Sequence, residues 1–155
     1  MDLSTYFLRS IDLYGQNDRI RFAEGSGASA NRLYIVNRTA KEIIVFNTLT
    51  DEVEKRLPAG NSPVDVAVDE AGGLYYTVDF HEGMVNKFNL SNGSAIKSYY
   101  AGPLLTSIVK GINNSDVLVS RQLTSPTSEV LLMPSTLAGA SARAGGRAAG
   151  LSLHG

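Results

Sequence analysis

The sequence predicts an all-β fold built by repetition, and three observations carry that expectation. Short β-branched and aromatic runs, among them Leu33 to Asn37 (L-Y-I-V-N), Glu42 to Asn47 (E-I-I-V-F-N) and Leu74 to Val78 (L-Y-Y-T-V), are separated by turn residues and lack the spacing of an amphipathic helix. The runs recur at a near-constant distance: Phe46 and Phe88, Asn47 and Asn89, and Gly60 and Gly102 are each 42 residues apart, and Leu33 and Leu74 are 41 apart. Each period also holds four such runs. A period of roughly 40–50 residues with four strands is the signature of propeller blades, in which four-stranded antiparallel sheets stand around a channel.

Taken in order, the elements begin with Tyr6 to Tyr14, which reads as a strand ended by Gly15. Arg19 to Ala23 alternates charge with Ile20 and Phe22, and a Gly/Ser/Ala loop, Gly25 to Asn31, follows. After the strands Leu33 to Asn37 and Glu42 to Asn47, the run Glu52 to Pro58 carries Glu52, Glu54, Lys55 and Arg56 around Val53 and Leu57. That charge predicts an outermost strand facing water, where it discourages pairing with other chains. The pattern then restarts at Val64 to Val68, passes the turn Asp69 to Gly73, and runs through Leu74 to Val78, Met84 to Asn89 and Ala95 to Tyr100. A third copy follows at Leu105 to Lys110, Val117 to Arg121 and Glu129 to Met133, with a turn at Asn113 to Asp116 and no charged fourth strand.

Residues 1–134 therefore read as a partial β-propeller, with repeats near 18–58, 63–100 and 105–133 and an outer strand at 6–14. The segment 135–155, rich in Ala, Gly, Ser and Arg, reads as a low-complexity, disordered tail, since it offers little apolar surface against its ordering entropy. A strand in the outer position with no blade before it is the arrangement by which many propellers complete their last blade. About three blades make an incomplete ring, because propellers close with roughly four to eight. Two arrangements satisfy that count: a portion of a longer propeller, which the coincidence of the missing strand with the low-complexity tail favours, or a half-ring closed by a homodimer.

Composition excludes several function classes. The formal charge of −1 and the absence of a Lys/Arg cluster give no expectation of a nucleic acid or membrane partner. With no cysteine, disulfides, thiol nucleophiles and Cys-type metal sites are ruled out. Met1 to Ile20 contains Asp2, Arg9, Asp12 and Asp18, so it does not resemble a secretory signal, and no apolar run approaches a transmembrane length. The compartment is left open.

The residues Gly60 to Asp79 (G-N-S-P-V-D-V-A-V-D-E-A-G-G-L-Y-Y-T-V-D), together with L-Y-I-V-N at Leu33 to Asn37, resemble the YVTN-type and NHL-type β-propeller repeats. In those families a blade opens on a Gly-x-x-Pro turn, runs through V-A-V-D and an acidic-Gly turn, and enters L-Y-V-T-N. The resemblance covers Gly15 to Met133, with Gly102-Pro103-Leu104-Leu105 and Val117-Leu118-Val119-Ser120 as the divergent equivalents in the third copy and no proline in the first. It implies a scaffold in which glycine permits the crossing between blades, proline begins a strand, and the L-Y-x-V residues pack one sheet on the next.

The densest polar group is Asp79, His81 and Glu82, after the Leu74 to Val78 strand; two carboxylates and an imidazole could ligate a metal or perform acid–base work. A solvated turn is the plainer reading, since charge is ordinary there. Asp65 and Asp69 flank V-A-V, where a carboxylate pair at a channel mouth is conceivable, although Asp69 more naturally opens its turn and Asp65 ends a strand. His154 lies in the tail, and the sequons at Asn37, Asn89, Asn92 and Asn113 are what a chain with Asn, Ser and Thr in its turns yields by chance. Gly25 to Ser29 lacks the strand, helix and lysine of a phosphate cradle.

Two function classes follow. The first is a non-catalytic scaffold or binding module whose loops, including Val78 to Gly83 and Arg38 to Lys41, contact a protein or small ligand. The second comes from the resemblance to lactonase-like and streptogramin-lyase-like propellers, which implies a divalent metal in the central channel as cofactor. An incomplete ring argues against it.

Overall fold

The structure, a computed structural model, describes residues 10–22, 31–111, 116–122 and 128–134. The first part of the expected strand 6–14, the loop from Gly25, most of the turn at Asn113 to Asp116, the sequon at Asn113 and the tail with His154 lie outside the described residues. Eleven strands and no helix occur among those described: β1 (Asn17–Arg21), β2 (Arg32–Asn37), β3 (Glu42–Asn47), β4 (Glu52–Pro58), β5 (Pro63–Asp69), β6 (Leu74–Asp79), β7 (Met84–Asn89), β8 (Ala95–Tyr100), β9 (Leu105–Lys110), β10 (Asp116–Gln122) and β11 (Ser128–Pro134). They form three antiparallel meanders, β1-β2-β3-β4, β5-β6-β7-β8 and β9-β10-β11, the last with three strands among the described residues. The sheets stack in sequence order as an open array that does not close on itself.

The middle sheet explains why its inner strands read as unbroken apolar runs. Val66, Val68, Tyr75 and Phe88 pack toward the first sheet with Tyr34, Val36, Ile43, Val45 and Leu57. Ala67, Tyr76, Val78 and Val85 pack toward the third with Leu105, Ile108, Val117, Val119, Leu131 and Met133. A strand covered on both faces has no polar side to alternate with. The outermost strands β4 and β8 are largely exposed, as the charges in β4 predict.

Register corrects the 41-residue offset between Leu33 and Leu74. Leu33 pairs with Phe46, whereas the partner of Phe88 is Tyr75, so Leu33 corresponds to Tyr75 and Tyr34 to Tyr76. The faces agree: Tyr34 looks toward the second sheet and Tyr76 toward the third. A slip of one residue would reverse every side chain; the true period is 42 throughout β2 to β10.

Ser10 to Tyr14 is not a strand, against expectation. The Asp12 carboxylate accepts the Tyr14 N–H at 2.8 Å and Tyr14 takes a φ of +57°, so the chain turns instead of extending. Leu13 packs on Ile35, Ile44 and Phe46, covering part of the first sheet's outward face.

Each sheet is approached through a glycine with positive φ, Gly15, Gly60 and Gly102, and at the end of each second strand a polar side chain sits against it: Asn37, Asp79 and Arg121. A Cβ on Gly60 would lie 2.5 Å from Asp79 Oδ1, and one on Gly15 would lie 2.6 Å from Asn37 Oδ1. The glycines here make room as well as supplying φ.

Between the first two sheets, the Tyr75 ring stacks on Phe88 at 4.8 Å and its hydroxyl donates to the Pro58 carbonyl at 2.7 Å. The Tyr34 hydroxyl donates to Glu70 Oε2 at 2.8 Å. Burial pushes both phenols well above their ordinary value of 10.0, with Glu70 adding to the effect on Tyr34. A folded-state pKa above the unfolded one gives stability that is complete below about pH 10 and declines as pH rises past it, because only the unfolded chain then releases the proton. Urea midpoints measured from pH 8 to pH 11.5 should fall above pH 10 in the parent, and more shallowly in Tyr34→Phe/Tyr75→Phe; parallel curves would refute the assignment.

A second expectation concerns Gly73 and Gly83, both at φ +70°. A Cβ at Gly73 meets open space, whereas at Gly83 it collides with the backbone of Gly102 and Pro103. Gly73→Ala should cost about 1–2 kcal/mol for the left-handed backbone alone, and Gly83→Ala clearly more, as read from chemical denaturation. Equal losses would show that the Gly83 contact relaxes freely.

Candidate functional site

The inner strands β1, β5 and β9 all begin at one end of the array, where β2, β6 and β10 finish. One backbone hydrogen bond recurs there in all three sheets: Arg38 N–H to Gln16 O, Phe80 N–H to Ser62 O and Gln122 N–H to Leu104 O, each at 2.9 Å. Arg38, Phe80 and Gln122 thus hold the same position, 42 residues apart.

The sequence-predicted residues divide by where they point. Asp79 ends β6 with its carboxylate turned inward and only 2% of the residue exposed. Its Oδ1 accepts the Ser62 N–H at 3.0 Å and its Oδ2 the Asn86 amide at 3.0 Å. Asn86 also donates to Thr77 Oγ1 at 3.2 Å and accepts from Ser98 at 2.7 Å, while Thr77 donates to the Ala59 carbonyl at 2.5 Å. This chain of bonds ties the approach to the second sheet to three of its strands. His81 and Glu82 are exposed in the β6–β7 turn. The Ser62 hydroxyl donates to Glu82 and accepts the His81 N–H at 3.0 Å, and its bond holds the Glu82 carboxyl below the usual range. Asp69 opens its turn as expected, accepting the Gly72 N–H at 2.9 Å.

Asp65 is not at a strand end. It is the third residue of β5 and fully buried. Arg21 on β1 grips it with two bonds, Nε to Oδ1 at 2.9 Å and Nη2 to Oδ2 at 2.6 Å. Oδ1 also accepts the N–H of Val66 at 2.9 Å, and Oδ2 that of Ile108 on β9 at 2.9 Å. Four donors fill the roughly four lone-pair sites of a carboxylate. Among the described residues, no group of three or more His, Asp or Glu side chains comes together to hold a metal ion.

What the end of the array does hold is a cleft of about 370 Å³ lined by Arg19, Arg38, Val64, Phe80, His81 and Thr106. A smaller one of about 240 Å³ adjoins it, sharing Arg38, Val64, Phe80 and His81 and adding Gln16, Thr39, Asn61 and Ser62. All three sheets contribute. The walls are fixed by the recurring backbone bonds, by Leu104 N–H to Phe80 O at 2.7 Å, and by the edge-on packing of Phe80 against His81 at 5.0 Å. Arg38, Phe80 and His81 fall in loops that sequence reasoning names. Arg19, Val64 and Thr106 do not, because each lies on a different inner strand and only the stacking brings them together.

No protein-family model matches the chain, and no curated protein sequence does. Solved structures do. Hydrazine synthase of Kuenenia stuttgartiensis aligns with a TM-score of 0.63 at 11% identity, over 77% of this chain and 34% of that one. The β-propeller domain of Cps50 (Swd1) from Myceliophteria thermophila aligns with a TM-score of 0.56 at 12% identity, over 82% and 41%. The likeness is one of fold: the three sheets are propeller-like blades, and the chain spans between a third and about two fifths of the lengths it matches. It shows the fold and not the type of repeat.

The Asp65–Arg21 pair gives a direct test. Asp65 is fully buried and the Arg21 side chain is 29% exposed, so removing the carboxylate leaves a guanidinium that water reaches and a buried Ile108 N–H without its acceptor, at about 1–3 kcal/mol. Asp65→Ala should lower the unfolding free energy by that amount in urea, whereas Asp12→Ala, at an exposed turn, should cost far less. A loss at Asp65 below about 1 kcal/mol would show that the three inner strands do not depend on it.

Proposed function

We propose that the chain is a non-catalytic binding module, a portion of a longer β-propeller with repeats of YVTN or NHL type, which receives a protein segment at the end where its inner strands begin. The observation that carries this reading is the cleft formed by Arg19, Arg38, Val64, Phe80, His81 and Thr106, whose walls are tied by backbone hydrogen bonds. Preformed walls reduce the ordering that binding requires. Mixed apolar and polar lining on a rigid scaffold is how ligand sites are generally built.

The candidate ligating residues support binding over hydrolysis. Asp65 and Asp79 direct their carboxylates to Arg21, Ser62, Asn86 and backbone N–H groups. A channel metal would need those oxygens.

Selection of random linear peptides displayed on phage tests this reading. We expect the full chain to enrich peptides whose binding is lost when the cleft is filled by Thr106→Trp in a variant that retains its β-sheet circular dichroism. A library that enriches nothing, or a lactone hydrolysis that requires an added divalent metal and vanishes in Asp79→Asn, would sink it.

A further inference from the structure

We infer that the cleft selects an acidic peptide segment, seating a side-chain carboxylate between Arg19, Arg38 and His81 with an apolar neighbour against Val64 and Phe80. This rests on the binding-module reading and goes beyond it by naming the ligand's chemistry.

The argument begins with what lines the cleft. Among the described residues, the charged or chargeable ones that line its two parts are Arg19, Arg38 and His81, and no described Asp or Glu does. Three described carboxylates nearby are turned elsewhere: Asp79 to Ser62 and Asn86, Glu82 to the Ser62 hydroxyl, and Asp65 to Arg21 and two N–H groups. The described lining is therefore cationic on a chain whose formal charge is −1. An anion is drawn to it by the site and not by the field of the whole protein.

Arg19 is the sharpest element. It holds on β1 the position that Asp65 holds on β5, since Arg19 pairs with Val36 as Asp65 pairs with Val78. Its Nε lies 3.9 Å from Asp65 Oδ1, beyond hydrogen-bond distance. Asp65 already has its four donors, so the Arg19 fork has no bond to gain from it. With its side chain 41% exposed, the guanidinium lines the cleft with donors suited to a carboxylate.

The rest of the cleft fits a peptide better than a small free anion. Val64 and Phe80 provide apolar wall, and the adjoining space is lined by Gln16, Thr39 and Asn61, whose amides and hydroxyl match backbone N–H and C=O groups. The cleft of about 370 Å³ and the adjoining one of about 240 Å³ each exceed what a single carboxylate fills.

The test uses synthetic copies of the peptides the full chain selects, with fluorescence polarisation as the readout. We expect these peptides to be rich in Asp and Glu and to lose at least about tenfold in affinity when the acids become Asn and Gln. Arg19→Gln/Arg38→Gln should lose a comparable factor for the acidic peptide and little for its amide form. His81→Glu, at an exposed turn position, serves as a second variant should the arginine pair disturb folding, and it should weaken the acidic peptide in the same way. Selected peptides that keep their affinity after acid-to-amide replacement, or that bind both variants as tightly as the parent, would overturn the inference while leaving the binding module standing. A library that enriches nothing overturns both.

Discussion

The buried carboxylate of Asp65 is the constraint on which the rest of this structure depends. Stacked propeller sheets present a particular difficulty on their inner side. Each innermost strand has one edge paired within its own sheet and one edge facing the axis, where backbone N–H groups have no ladder partner. Here the Ile108 N–H of β9 is met by the Asp65 side chain on β5, and the charge this places in the interior is met by the Arg21 fork on β1. One side chain thereby links the inner strands of three successive sheets. An ion pair alone would be weak evidence for stability, because desolvation offsets the attraction; a pair whose four acceptor sites are all filled is the case in which the balance turns favourable.

The same division of labour recurs farther out. Apolar residues on both faces of β5, β6 and β7 supply the nondirectional attraction between sheets. Direction comes from a few polar contacts that are correct only in one register: Asn37, Asp79 and Arg121 against Gly15, Gly60 and Gly102, and the repeated backbone bond at Arg38, Phe80 and Gln122. Asn37 donates its amide to the Tyr14 carbonyl at 2.8 Å, Asp79 accepts the Ser62 N–H, and Arg121 donates to the Ala101 carbonyl at 3.2 Å. Three different side chains thus anchor the approach to each sheet from the same position. The fold requires a polar group there and does not require a particular one, which is one physical reason a propeller-like fold can persist at 11–12% identity to other propellers.

That tolerance also decides what was legible in the sequence. Strand positions, the four-strand unit and the exposed outer strand follow from patterning that lies within ten residues or so, and the structure reproduces them from β2 to β11. The partners of Asp65 do not lie within that range: Arg21 is 44 positions away and Ile108 is 43. Alternation assigns a residue to a face of its sheet, but not to the strand that will face it. Arg19 and Arg21 consequently read only as the charged positions of a short alternating strand, and Asp65 as a strand end. Asp79 reads as part of a solvated turn, yet it ends β6 with its carboxylate pointing inward, where Gly60 leaves space that any Cβ would fill. Ser10 to Tyr14 departs from the expected strand for a local reason, since the Asx turn at Asp12 competes with extension in a run whose alternation is imperfect.

The positions that line the cleft are the ones the scaffold leaves free to vary. At the site after each second strand, the backbone N–H is committed to the recurring bond, while the side chains are Arg38, Phe80 and Gln122, alike in neither charge nor shape. On the inner strands, Arg19 and Asp65 occupy equivalent places with opposite charge, and Ser107, paired with Ser120, follows them on β9. A repeat protein in which backbone roles are copied and side chains are not has one rigid frame and several independent points of chemistry on it. The blades fix where each group stands, and the non-repeated residues fix what the end of the array can hold; the chemistry of this chain is therefore to be sought where its 42-residue period breaks down.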